Sequence, residues 1–137
     1  LETPAGVRPL FAAYKGSSQT ITASPTKVTF TTEEIDAGGY YDASSSKWTP
    51  PAGAVFVEAS VQLTDIAAGT LVALTIEKNG TTVAQCSRQC QVSDALRVAF
   101  VGAANGTDYF EASVSCTDPS WTVYGVQAGT RFCGTML

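Results

Sequence analysis

Apolar and polar residues alternate along most of the chain with a period of two. In residues 55–63 the odd positions are Val, Val, Ala, Val and Leu, and the positions between them are Phe, Glu, Ser and Gln. Because successive side chains of a β-strand point to opposite faces, this segment predicts a strand with one packed face and one mixed face. No segment has the apolar spacing of an amphipathic helix. The pattern therefore predicts an all-β chain.

Turn signals divide this alternation into short strands. The apolar positions of residues 72–76 lead to Asn79-Gly80, a dipeptide that favours a two-residue hairpin because both residues tolerate positive φ. Asn105-Gly106 predicts a second tight turn, which is likewise expected to form a hairpin. Such signals recur at intervals of about ten residues, which is typical of a β-sandwich or jelly roll. The predicted fold is a jelly-roll β-sandwich of about ten strands.

The chain is expected to form one domain, residues 10–137, preceded by a linker or N-terminal arm, residues 1–9. The first strand is predicted at Leu10–Tyr14. Hydrophobic residues make up 45% of the 137 residues and charged residues 15%, which favours a folded core over disorder. The chain begins with Leu1 rather than Met, so it is expected to be a fragment of a longer protein.

Charge and composition exclude several functions. The net charge is −4 and the eight basic residues are scattered, so nucleic acid is not an expected partner. No apolar run is long enough to span a bilayer, and no membrane insertion is expected. The sequence contains no histidine, which removes Ser-His-Asp triads, Cys-His dyads and His-based zinc sites. The adjacent Glu33 and Glu34 would point to opposite faces of a strand and cannot act on one bond. The chain is therefore predicted not to be an enzyme.

Apolar residues also occur on both faces of some predicted strands, as in residues 71–76. A single small sandwich has difficulty in covering both faces of such a strand. The excess apolar surface predicts packing against another chain, with burial inside the sandwich as the alternative.

Four cysteines are present: Cys86, Cys90, Cys116 and Cys133. Their spacing does not match paired zinc knuckles. Two interpretations stay open, namely up to two disulfides of unknown pairing in an oxidising setting, or free thiols that pack as small hydrophobic groups.

Aromatic residues beside turns are the candidate ligand-binding residues, because sugar rings stack on exposed aromatic faces while nearby polar groups bind the hydroxyls. The candidates are Trp121, Tyr124, Asp118 and Tyr40. Trp121 follows T-D-P-S, a turn-forming context, and it is expected to be the most exposed of them.

One spaced motif resembles a known family. Phe30, Asp36 and Tyr41 stand at the spacings of the signature of the complement C1q globular head, a member of the tumour-necrosis-factor-like jelly-roll superfamily. Trp48 occupies the next aromatic position, where the family usually has Phe, and Gly53 comes one residue early. The ending F-C-G-T-M-L, residues 132–137, is similar to the last strand of that family. Val and Ala in residues 55–59 replace the usual aromatics. The segments Y-D-A-S, W-T-P-P-A-G and A-N-G-T-D-Y-F-E resemble the variants of this family in tailed-phage and prophage structural proteins more closely.

The resemblance implies a homotrimeric, non-enzymatic head domain at the virion surface, on a phage fibre or spike, that binds a host-surface ligand, a glycan or a protein. A purely structural trimerisation cap or capsid decoration is one alternative. A secreted, extracellular C1q-like lectin is another. No cofactor is expected; a calcium ion, which some relatives hold near the trimer axis, is left open, although the aspartates are dispersed and form no D-x-D-x-D-G loop.

Overall fold

A computed structural model describes residues 8–118 and 120–137, so most of the predicted N-terminal arm, residues 1–7, lies outside the described residues. Within these ranges every regular element is a β-strand and every pairing is antiparallel. The strands are β1 (Leu10–Tyr14), β2 (Gln19–Ile21), β3 (Thr26–Lys27), β4 (Thr32–Ala37), β5 (Tyr41–Asp42), β6 (Lys47–Trp48), β7 (Gly53–Thr64), β8 (Thr70–Lys78), β9 (Thr81–Cys90), β10 (Asp94–Ala104), β11 (Phe110–Cys116), β12 (Trp121–Val123) and β13 (Arg131–Met136). The all-β prediction is confirmed, and β1 has the predicted bounds.

The strands form two sheets. In the seven-stranded first sheet, β7 pairs along one edge with β10 and along the other with β13 and then β12. Strands β1 and β4 extend this sheet beyond β13, and β2 extends it beyond β12. In the six-stranded second sheet, β8 lies between β9 and β11, and the far edge of β11 pairs with β6 and β3, while β5 pairs with β6.

The predicted alternation places the core between the two sheets. All five odd positions of residues 55–63 are buried, and so are the alternating apolar residues of β8 and β11, namely Val72, Leu74, Ile76, Phe110, Ala112 and Val114. The centre of the core is aromatic. Phe11 stacks on Tyr41 at 4.6 Å between ring centroids, and Phe132 packs edge-on against Phe11 at 5.0 Å. Trp48 lies 5.0 Å from Phe11 and closes the cluster.

The spaced aromatic motif forms part of this core. The Tyr41 hydroxyl donates a 2.6 Å hydrogen bond to the backbone carbonyl of Phe30. The Asp36 carboxylate accepts hydrogen bonds from the backbone N–H groups of Tyr40 and Tyr41 and so fixes the turn between β4 and β5. Burial raises the pKa of the Tyr41 phenol, which keeps it a hydrogen-bond donor. The motif spacing is therefore explained by folding and does not require a ligand.

The two Asn-Gly dipeptides have different roles. Asn79 and Gly80 both have positive φ, 54° and 81°, and form the predicted hairpin between β8 and β9. The prediction of a second hairpin at Asn105-Gly106 is wrong, because β10 belongs to the first sheet and β11 to the second. The connection is a crossover whose turn is held by the Asn105 side chain, which accepts from the backbone N–H groups of Thr107 and Asp108.

Candidate interaction surface

The first sheet has one face in the core and one face that no other strand covers in the described part of the chain, although Gly129 lies against it at Gln62. We call this uncovered face of the first sheet the open face. Its side chains alternate with the buried ones of β1, β7, β10 and β13, and the pairing registers place them in rows across the sheet. The open face consists of Leu10, Ala12, Tyr14, Thr32, Ile35, Ala37, Ala54, Phe56, Glu58, Ser60, Gln62, Ala95, Arg97, Ala99, Val101, Ala103, Arg131, Cys133 and Thr135.

The upper row of the open face is mostly apolar. Across the sheet it runs through Ala37, Leu10, Thr135, Phe56 and Val101. The Val101 side chain is 65% exposed, although it lies in the middle of a long strand. A strand normally presents polar groups on its solvent face, so this row indicates a surface that meets another molecule.

The middle row combines small and apolar residues with a single carboxylate. It runs through Ile35, Ala12, Cys133, Glu58 and Ala99. Ile35 is 46% exposed at the β4 edge. The side chains of Ala12 and Ala99 are short, so the backbone of another chain could approach this row closely. Together the two rows make a contiguous apolar surface.

The lower row is polar. It runs through Tyr14, Arg131, Ser60 and Arg97, and Arg131 is paired with Glu34 of β4 at 2.9 Å. A shallow depression of about 250 Å³ begins here, lined by Ser60, Gln62 and Arg97 of the sheet and by Ala128 and Gly129. The open face thus changes from apolar to charged along the direction of its strands.

Excess apolar surface therefore occurs, but not where it was predicted. The sequence suggested it at residues 71–76 of β8. There Val72, Leu74 and Ile76 are buried in the core, and Leu71, at 44% exposure, lies among polar neighbours such as Gln89 on β9. The predicted location was wrong because β8 lies in the second sheet, whose outward face consists mainly of Ser, Thr and Gln.

All four cysteines are free thiols. Cys86 and Cys116 are paired with Leu74 and Val72 on opposite edges of β8, so two strand spacings, about 9–10 Å, separate them, beyond the reach of a disulfide. Cys133 lies on the open face of the other sheet. Of the two interpretations, free thiols describe this structure.

The cysteine on the open face is not an activated nucleophile. Burial, and next the Glu58 carboxylate, raise the pKa of the Cys133 thiol, while Arg131 and Arg97 act in the opposite direction. Burial also raises the pKa of the Cys90 thiol. Reactive cysteines have lowered pKa values in electropositive surroundings, so these two thiols behave as packing groups.

The expectation that Trp121 is exposed is wrong. Its side chain is 1% exposed and lies in β12, which pairs with β2 at Ile21 and with the end of β7. The turn ends before the tryptophan, and strand pairing with distant segments takes the indole into the core. A buried ring offers no face to a sugar, so Trp121 is removed from the candidate ligand residues.

Two of the remaining candidates, Tyr40 and Tyr124, lie too far apart to share one site. Tyr124 is 47% exposed, and its backbone N–H donates to the Gln62 carbonyl near the end of β7. Tyr40 follows β4, whose last residue lies in the upper row with Phe56. Six residues of strand separate these two levels, about 20 Å. Asp118 is exposed beyond the end of β11.

The described residues contain neither a metal-binding cluster nor a membrane-spanning helix. Among residues 8–118 and 120–137, no three His, Cys, Asp or Glu side chains come together in a way that could hold a metal ion. Over the same ranges, no helix is long and apolar enough to cross a membrane.

Comparisons with known proteins identify the fold. No protein-family model matches the chain, and no curated protein matches it. Among solved structures, it is similar to murine APRIL at pH 8.5, with a TM-score of 0.72 and 14% identity over 96% of this chain and 100% of that one. It is also similar to the globular domain of the zebrafish complement 1qA protein, with a TM-score of 0.66 and 14% identity over 94% of this chain and 97% of that one.

Likeness at this identity shows the fold alone. The chain has the jelly-roll sandwich of the tumour-necrosis-factor and C1q type, and the predicted fold class is confirmed. Neither structure supports the likeness to phage structural proteins, which stays a prediction from the sequence.

Proposed function

We propose that the chain is a non-enzymatic head domain that forms a homotrimer through its open face and attaches a phage fibre or spike to a host-surface ligand. The observation that carries the proposal is the contiguous apolar surface around Phe56 and Val101, on the unpaired side of a jelly-roll sheet. The resemblance to the C1q head implies a trimer. A ring of copies can cover such a face, because in a ring one part of each subunit meets a different part of the next.

The physical basis is the removal of apolar area from water. Val101 and Ile35 are exposed, and Leu10 and Phe56 are half-buried on the same face. Burial contributes about 25 cal/mol per Å² of apolar surface, and the small Ala12 and Ala99 would let the covering chain pack without gaps. In a monomer this apolar surface would stay exposed to water.

Substituting Val101 with Arg is expected to convert the trimer into a monomer, because the new charge would be taken out of water in the interface. Light scattering after size exclusion should give a mass three times 14.2 kDa for the wild type and 14.2 kDa for the variant. Leu71→Arg is the matched control, since it adds the same charge at an exposed aliphatic position of the other sheet. A monomeric wild type, or equal loss of mass in both variants, would contradict the proposal.

The ligand is proposed to be a host-surface glycan, with Tyr124 as the stacking residue. Its backbone is fixed by hydrogen bonds to Gln62 and from the Thr130 hydroxyl, while its ring is 47% exposed. The exposed side chain is thus carried on a backbone that is held by hydrogen bonds on both sides. Three such rings on one head would act together, which raises the effective affinity when the geometry allows it.

Truncating Tyr124 to Ala is expected to weaken glycan binding by about two- to tenfold per site, which is what an aromatic contact contributes, and by more on whole cells. A glycan array and adsorption to host cells measure this. Tyr124→Phe keeps the ring and should retain most of the binding. Unchanged adsorption of the Tyr124→Ala protein would remove Tyr124 from the site.

The second candidate function is a purely structural trimerisation cap or capsid decoration. It is favoured by the dispersal of Tyr40 and Tyr124 to opposite ends of the sheet. Virions carrying Val101→Arg separate the two functions. Particles that assemble but do not adsorb support attachment, whereas particles that fail to assemble support the structural role.

A further inference from the structure

A half-buried carboxylate lies in the middle of the open face without a partner. Glu58 stands in the middle row between Cys133 of β13 and Ala99 of β10. Among the described residues it makes no hydrogen bond and no ion pair, and every other half-buried or buried Asp or Glu in that part of the chain has one. A carboxylate covered by another chain would lose its water, so it would require a cation there.

The open face also carries one guanidinium without a partner. Arg97 of β10 is exposed and makes no hydrogen bond or ion pair in the described structure, whereas Arg131 on the same face is held by Glu34. Arg97 lies opposite Ser60, one row below Glu58. Arg8, which also makes no hydrogen bond or ion pair among the described residues, precedes β1 and lies beyond the upper row, two rows from Glu58.

The positions of these two charges suit contact between copies. Glu58 belongs to β7, in the middle of the sheet, and Arg97 to β10, whose second edge is unpaired. Within one chain their side chains do not form an ion pair, although they occupy adjacent rows of neighbouring strands. In a ring, a free edge of one copy can lie on the middle of the next, since the two surfaces that meet are different ones.

We infer that in the trimer, Glu58 of each copy forms an ion pair with Arg97 of the neighbouring copy. The inference rests on the proposed function, and it names the polar contact that fixes how the apolar rows are aligned. Charge pairs of this kind determine register and reject wrong pairings, because like charges brought together in an interface are costly. The apolar rows alone would allow several alignments.

Charge reversal tests the pair. Glu58→Arg and Arg97→Glu are each expected to weaken self-association by about tenfold or more, since each places like charges together. The double variant, with both charges reversed in one chain, is expected to restore the trimer. Asp118→Arg and Arg8→Glu are matched controls, because they make the same changes of charge at exposed groups away from the middle row, and they should leave the mass unchanged. Thermal unfolding of each variant checks that it is folded.

Mixing the two single variants shows whether the pair joins different chains. In a mixed ring two of the three contacts would pair opposite charges, so the mixture should associate more tightly than either variant alone, while an ion pair within one chain gives no such rescue. Single variants that remain trimeric, or a double variant that is not restored, would overturn the inference and leave the proposed trimer standing. A monomeric wild type would overturn both.

Discussion

Substituting Phe132 with Ala is expected to lower the free energy of unfolding by about 3–5 kcal/mol, the usual cost of removing a fully buried aromatic ring. The Phe132 ring is fully buried and lies 5.0 Å from the ring of Phe11, 5.4 Å from Phe30 and 6.4 Å from Tyr41, centroid to centroid. Its loss would open a cavity that these rings cannot fill without leaving their own contacts. Urea unfolding at constant m-value measures the change.

Phe56→Ala is the matched control. It removes the same ring from the same sheet, but Phe56 is half-buried and points to the open face. Both substitutions should be made in the Val101→Arg background, so that self-association does not add to the measured stability. We expect Phe56→Ala to cost much less than Phe132→Ala there. Equal losses would mean that the open face is part of the folding core.

The parts of the fold that depend on alternation could be predicted from the sequence. The period of two fixes which residues of β7 point inward, and the core confirmed all five positions. The hairpin at Asn79-Gly80 followed because the two residues adopt the positive φ that such a turn requires. These are local properties, and they are written in a few consecutive residues.

Pairing between distant strands could not be predicted in the same way. Asn105-Gly106 was read as a hairpin because a dipeptide does not specify whether the next strand joins the same sheet. Trp121 was expected in a loop because Pro119 and Ser120 precede it, whereas β12 is held by pairing with Ile21, a hundred residues earlier. Both errors arise where tertiary contacts override local signals.

The open face likewise depends on pairing between distant strands. In the sequence, Phe56 and Val101 are single apolar residues at positions expected to face solvent, and neither is unusual. Only the register that places them side by side on β7 and β10 makes them one surface. Glu58 and Arg97 likewise become related only through that register, so no motif could have indicated them.

Gly134→Ala tests how tightly the aromatic core is packed. A Cβ at Gly134 would lie 2.7 Å from Cζ3 of Trp48 and 2.8 Å from Cε1 of Phe11, both atoms of fully buried rings. Contacts this short force a shift of rigid rings that have no space to move, and such overpacking costs about 1–3 kcal/mol. We expect a loss of stability in this range, measured by urea unfolding of the Val101→Arg chain.

Gly16→Ala is the control for the glycine substitution itself. A Cβ there would meet only the Thr32 hydroxyl at 3.5 Å, an ordinary contact, and Gly16 is exposed. The smaller conformational freedom of Ala in the unfolded chain should leave this variant unchanged or more stable by up to about 1 kcal/mol. If Gly134→Ala behaved like Gly16→Ala, the rings of Phe11 and Trp48 would have to be mobile in solution. Close packing of β13 against these rings would then not be the reason for glycine at position 134.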